Sequence, residues 1–322
     1  MTALRVTLPL MMAGVVLAAL GTGATGLSPL RLLQGGLSLQ ESVVFWDIRL
    51  PRLLLGLLVG AGLAVSGVLM QALFRNPLAD PGVVGVGPGA ALGAVLAIVL
   101  GGGGPVLVML AAFGGGWVAV MVLTRVAQSA GRTDISLLLL AGIALSALAG
   151  AVTGILVTLA DDTQLRDLSY WSMGSLAGAT RDKVALGALV IGPVLLLAPR
   201  LARGLNALAL GEVAAFHMGL RVERLKRHAI LLTALGTGGA VALAGGIGFI
   251  GIVVPHVLRQ ALGPDHRAIL PLSALMGGAL LVLADVFARS LTAPAELPIG
   301  ILTALIGAPV FLHILLKRRG VA

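Results

Sequence analysis

The chain has no cysteine in 322 residues, which excludes disulfides, thiolate nucleophiles and cysteine-ligated zinc while saying little about compartment. Charge is scarce as well. Only 11% of residues are Asp, Glu, Lys or Arg and 58% are hydrophobic, where a soluble domain carries about 25% charged residues. With a mean hydropathy of +1.06, the sequence reads as an all-α polytopic membrane protein. Aromatic residues make up 3%, so packing must rest on Leu, Ala, Val and Gly. The three lysines, Lys183, Lys226 and Lys317, are never preceded by glycine, so there is no G-x-x-x-x-G-K-[ST] and no nucleotide site of the P-loop kind. The five histidines include no i,i+4 pair and no H-E-x-x-H. No nucleophile stands beside a base. No catalytic residue, metal ligand or cofactor is therefore assigned, and the chain reads as a non-enzymatic subunit.

What is present is a series of apolar runs. Spans are expected at Val6–Leu27, from Arg49-Leu50-Pro51-Arg52 to Phe74, and at about Val83–Leu100, Val106–Val126, Ile135–Leu159, Val184–Leu201, Lys226–Ala244, Ile247–Ala261, Ala268–Leu291 and Leu297–Leu316. That makes ten in a single domain covering 1–322. The first is read as a helix rather than a cleaved signal, because more spans and no polar domain follow. Leu30–Ile48 is a polar interruption with Arg31, Gln34, Gln40, Glu41 and Asp47. The seventh-to-ninth region contains a weak point: Pro255 and His256 are expected to bend or shorten Ile247–Ala261, with His256 in a loop or at a helix end. Asp285 and Arg289, four apart, are expected to pair with each other.

The formal charge of +9 could suggest nucleic acid, but the basic residues lie in short loops, where they set topology. With a cytoplasmic N-terminus, fifteen Lys and Arg fall inside and seven outside (Arg31, Arg49, Arg52, Arg166, Arg181, Lys183, Arg289). Both termini are then cytoplasmic, and Asp161–Lys183 is external with Tyr170-Trp171 as an interfacial anchor. Glycines four apart, Gly85/Gly89/Gly93, Gly150/Gly154 and Gly174/Gly178, are expected to bring helices close.

One interior stretch, Asn206–His228, is too polar to span. Leu208, Leu210, Val213, Phe216 and Leu220 recur at helical steps among Glu212, His217, Arg221, Glu223, Arg224, Lys226, Arg227 and His228. A short amphipathic helix, a break at Gly219 and a second basic helical start are expected. A polar helix on a membrane face suits contact with a partner.

Several blocks carry a family resemblance. Arg49-Leu50-Pro51-Arg52, Ala61-Gly62 to Ser66-Gly67, Gln71, Arg75-Asn76-Pro77-Leu78-Ala79-Asp80-Pro81-Gly82, Leu210-Gly211-Glu212 to Met218-Gly219-Leu220, Gly248-Phe249-Ile250-Gly251 with Val254-Pro255-His256, and Glu296-Leu297-Pro298-Ile299-Gly300 to Gly307-Ala308-Pro309 resemble FecCD-type, BtuC-like permeases. These are the membrane subunits of type II ABC importers for haem, ferric siderophores and cobalamin. The resemblance runs from about Leu39 to the C-terminus. It implies ten helices per subunit, a homodimer around a central path in the bacterial inner membrane, two cytoplasmic ATPase subunits carrying ATP and magnesium, and a periplasmic substrate-binding protein.

By position, the resemblance makes Leu210, Gly211, Glu212, Phe216, His217, Met218 and Gly219 the ATPase-coupling residues. Arg49, Arg52 and Arg289 would dock acidic residues of the binding protein, a task suited to planar guanidinium groups. Asn76, Leu78, Ile135 and Ser136 would form the cytoplasmic gate, although Ile135 stands where relatives carry a hydroxyl. The stretches Asn76–Gly82 and Tyr170–Leu176 look most similar to haem permeases. Ferric siderophore and cobalamin stay open as substrates. From other classes, an ion-coupled secondary transporter would depend on a carboxylate such as Asp285, and a membrane scaffold would have no path.

Overall fold

The structure is a computed structural model and describes residues 2–22, 38–129, 132–291 and 295–318. Twelve helices occur among them. They are α1 (Thr2–Gly21), α2 (Leu39–Leu73), α3 (Val86–Leu100), α4 (Pro105–Val126), α5 (Ile135–Leu159), α6 (Asp162–Met173), α7 (Arg181–Leu208), α8 (Glu212–His217), α9 (Val222–Ala244), α10 (Ile250–Leu262), α11 (His266–Leu291) and α12 (Ile299–Arg318). Six are long and apolar enough to cross a membrane, and four shorter apolar helices lie at the other expected spans. The ten-span reading therefore holds. Arg31, Gln34 and Arg319 lie outside the described residues.

Three departures have local causes. The second helix begins at Leu39, not Arg49, because Ser38 and Glu41 form a capping box, after which a π-helical turn, Val44–Arg49, runs straight into the apolar segment. The segment after Ala160, to which no helix was assigned, is helical. Asp161 and Gln164 cap each other, and α6 follows. Finally, α10 runs unbroken through Pro255, so His256 is buried in mid-helix with Gln260 Nε2 2.9 Å from its Nε2. The expectation of a peripheral His256 is corrected, whereas the expectation of a shortened helix holds, since α10 has 13 residues. A two-residue antiparallel ribbon, β1 (Gln128–Ser129) with β2 (Arg132–Thr133), links α4 to α5.

The bundle is built around α2, which packs on α7, α9, α10 and α11. Its glycines make this possible. A Cβ on Gly60 would overlap the Gly277 carbonyl of α11, and one on Gly67 would overlap Gly251 of α10. Backbones this close gain dispersion contacts that lipid cannot replace. Gly89 and Gly93 bring α3 against α4 in the same way, as their spacing implied, whereas Gly150 and Gly154 of α5 face open space. Of the most apolar window, 83% is buried in α2 and 17% in α5.

Candidate functional site

Two clusters of charged side chains occupy opposite ends of the bundle. Their separation along α11, from His266 to Asp285, is about 28 Å at 1.5 Å per residue.

At one end α7 stops at Leu208 and the chain turns through Gly211, whose φ of +108° suits glycine. The six residues of α8 follow, and Gly219 at φ +79° ends the turn before α9. The expected break at Gly219 is present. The expected single amphipathic helix is not, because Asn206 and Leu208 belong to the preceding helix. Asn206 anchors that helix: its Nδ2 donates to Asp265 Oδ1 at 2.6 Å, and its Oδ1 accepts from His266 N at 3.0 Å. Asp265 also caps α11, accepting from Arg267 N, and these bonds hold its carboxyl below the usual range.

The apolar residues of this segment point outward. Leu210, Val213, Phe216 and Met218 are 71, 72, 69 and 62% exposed, while Ala215 is buried. Arg221, Arg224, Arg227 and His228 are exposed beside them. A groove of about 680 Å³ runs between α8 and the start of α9, lined by Val213, Phe216, Arg132 and Arg224 among others. Four bare apolar side chains thus stand among cations on one surface. Burying each is worth roughly 1.5–3 kcal/mol before the costs of association.

At the opposite end Arg52 is buried among carboxylates. Its Nε and Nη2 meet Asp285 at 2.9–3.0 Å, and Nη1 and Nη2 meet Glu296 at 2.8 and 2.9 Å. Hydrogen bonds from Arg52 hold the Glu296 carboxyl below the usual range. Arg289 lies 3.6 Å from Asp285 and donates to the carbonyls of Ala19 and Thr22, and Arg49 donates to that of Leu20. These carbonyls close the C-terminal turn of α1, where helix geometry leaves acceptors unpaired and favours cations.

The three arginines expected to reach outward are therefore turned inward. Each has intramolecular partners, and docking through them would require exchanging those partners. Sequence spacing paired Asp285 with Arg289, but the closer partner is Arg52. Asp285, the carboxylate an ion-coupled carrier would need, is forked by a guanidinium.

Near the first end, Asn76 Oδ1 accepts from Leu78 N at 3.0 Å, so a tight turn leads from α2 into the 3₁₀ turn Pro81–Val84, which packs on α5. Ile135 is half-buried and Ser136 exposed at the start of α5, where Asp134 caps the amides of Ser136 and Leu137. A cavity of about 310 Å³ lies between the Asp80–Gly82 turn, Trp171-Ser172, Thr237 and the Gly246–Gly251 loop. Burial raises the Asp80 carboxyl there. Among the described residues no three His, Asp or Glu side chains converge as a metal site.

Comparison with known proteins decides what this assembly is. The profile of the FecCD transport family matches residues 10–317.

The chain belongs to the FecCD transport family.

Relatives include the hemin transport system permease protein HmuU of Yersinia pestis, 47% identical over 86% of this chain and 84% of its own length. The cobalamin import system permease protein BtuC of Halobacterium salinarum is 46% identical over 89% of this chain and 77% of its own. The vitamin B12 import system permease protein BtuC of Escherichia coli is 46% identical over 85 and 84%. A metal-chelate type ABC transporter solved in an inward-facing conformation superposes with a TM-score of 0.90 at 32% identity, covering 98% of this chain and all of that one. PsaBC from Streptococcus pneumoniae shares the fold at 18% identity, with a TM-score of 0.58 over 85% of this chain and 92% of that one. This FecCD chain is thus a multi-pass permease of the ABC importer class.

Sequence reasoning missed two side chains that the structure places at the centre of these clusters, Glu296 and Lys226. Glu296 was visible only as part of a motif. Lys226 was read as one more surface cation, yet it is 1% exposed. A signal for it existed: it lies one helical turn inside α9, between the buried Leu225 and Ala229.

Proposed function

We propose that this chain carries haem through the inner membrane, as one half of a homodimer driven by two cytoplasmic ATPase subunits and supplied by a periplasmic binding protein. The observation that carries the reading is the bare apolar face of α8 amid cations, a seat for an external motor on a chain with no nucleotide motif of its own. In this orientation α8 and both termini are cytoplasmic, and the Arg52 cluster is on the far side. Asn76, Leu78, Ile135 and Ser136 stand at the cytoplasmic mouth as gate residues, and ATP and magnesium reside on the partner. Haem is preferred over cobalamin because the Asn76–Gly82 and Tyr170–Leu176 stretches are most similar to haem permeases.

The test is reconstitution in lipid vesicles with an ATPase subunit and a binding protein of this importer class, offering haem, cobalamin and a ferric siderophore in turn. Haem uptake at least tenfold above the other two, requiring ATP and both partners, is the expected result. Preference for either competitor overturns the substrate. In the same vesicles Phe216→Ala is expected to lower ATP-driven uptake at least tenfold. Its effect on stability should stay within about 0.5 kcal/mol, because an exposed side chain loses little on truncation. Unchanged uptake removes α8 as the seat of the motor.

A further inference from the structure

We infer that Lys226 is a positioning residue, a buried ammonium that ties the movement of α8 to the ribbon and capping turn that begin α5. The inference rests on the reading of α8 as the ATPase seat, and it names the side chain through which that seat acts.

The geometry is specific. Lys226 Nζ lies 2.7 Å from Glu212 Oε1 on α8, 3.1 Å from Glu223 Oε1 on α9 and 3.0 Å from the carbonyl oxygen of Thr133 on β2. An ammonium has three hydrogens, and here each has an acceptor on a different element. Glu223 Oε2 in turn accepts from Thr133 N at 2.8 Å. Thr133 is thus held from both sides, by Glu223 at its N–H and by Lys226 at its C=O. The next residue, Asp134, caps α5 through the amides of Ser136 and Leu137. A continuous polar path therefore runs from α8 through Glu212, Lys226 and Thr133 to the first turn of α5, where Ile135 and Ser136 stand.

Lysine suits this position. Its charge is compact and its three donors rotate, so it can follow acceptors that shift relative to one another. Burial makes the contact obligatory, because an ammonium shut from water and deprived of an acceptor is costly. Glu212 is 42% exposed at its side chain, so it is the partner free to travel with α8.

The absence of cysteine allows a direct test. Spin labels are placed at Val213→Cys on α8 and Gln128→Cys, which faces Thr133 across the ribbon. The distance between them is measured in nanodiscs, first for the permease alone and then with its ATPase and nucleotide. With Lys226 present the distribution should be narrow and keep its width on nucleotide addition. With Lys226→Met it should widen at least twofold already in the permease alone, and ATP consumed per haem carried should rise at least tenfold. Lys226→Arg, which keeps a buried cation with several donors, should restore the ratio to within about threefold.

A purely structural role would lower the melting temperature of Lys226→Met without changing the ratio for the protein that remains, and that result overturns the inference. So does an unchanged distance distribution. If Lys226→Met does not fold, Glu212→Gln weakens only the α8 side and should give the same change at smaller size; no change there also overturns it. Failure of the broader reading looks different: in the unsubstituted chain the line shape of the label at residue 213, which reports its mobility and not its distance to residue 128, would be unchanged by adding the ATPase.

Discussion

Two of the buried cations of this permease, Arg52 and Lys226, differ in what they hold. Arg52 forks two carboxylates with parallel N–H bonds and, together with Arg49 and Arg289, gathers α1, α2, α11 and the start of α12 into one block. Lys226 meets three acceptors singly, on a ribbon, a short helix and its own helix. A planar fork fixes both distance and angle, whereas an ammonium fixes distance alone. The far end of the bundle is thus built to stay in one arrangement. The role inferred for Lys226 requires the α8 end to remain connected while its parts turn.

Breaking the first cluster should have the largest effect on stability. Arg52→Met strands Asp285, whose side chain is 5% exposed, without its fork, and removing one partner of a buried pair costs about 3–5 kcal/mol. The melting temperature in detergent should fall accordingly. Arg52→Lys should recover less than half of the loss, since one ammonium cannot satisfy two carboxylates bidentately. Equal recovery by lysine would erase the distinction between the two clusters. Reversing the charge of Arg52 would break this block as well, so a docking experiment with such a variant needs the melting temperature alongside.

The next effect is pH-dependent. Arg52 holds the folded-state value of Glu296 below its unfolded value. The stabilisation is therefore complete above the ordinary carboxylate range and is lost as pH falls through the folded value. The melting temperature should drop as pH is lowered from about 6 to about 3, and Glu296→Gln should flatten that part of the curve. An equal slope in the variant would assign the acid sensitivity elsewhere. The smallest effect sharpens the comparison. Arg181 meets Asp47 at 2.8 Å, as close as Arg52 meets Glu296, but the side chains are 67 and 52% exposed. Arg181→Gln should cost less than about 1 kcal/mol. A larger loss would mean that distance, not burial, sets the scale.

The spans, the glycine contacts of α3 and the interruption at Gly219 were legible in the sequence because they depend on neighbours within a few residues. The Arg52–Asp285 fork was not, since its members are 233 positions apart and Arg289 offered a closer candidate by spacing. His256 was misplaced because Pro255 deprives only the Gly251 carbonyl of its intrahelical donor, and Gln71 Nε2 donates to that carbonyl instead at 3.1 Å, so the helix continues. Lys226 was obscured by its company: five charged or histidine neighbours within eight positions made it look like surface.

The central place of α2 has a consequence for how the chain is made. Its groove is filled by Gly251 and Gly277, and its guanidinium by Asp285, all of them synthesised long afterwards. At 5–20 residues per second, roughly 10–50 s separate the emergence of Arg52 from that of its carboxylate. Throughout that interval the helix destined for the middle lacks the residues that fill its glycine notches and neutralise its guanidinium. Insertion of this permease must therefore end with its second helix being enclosed by its last ones.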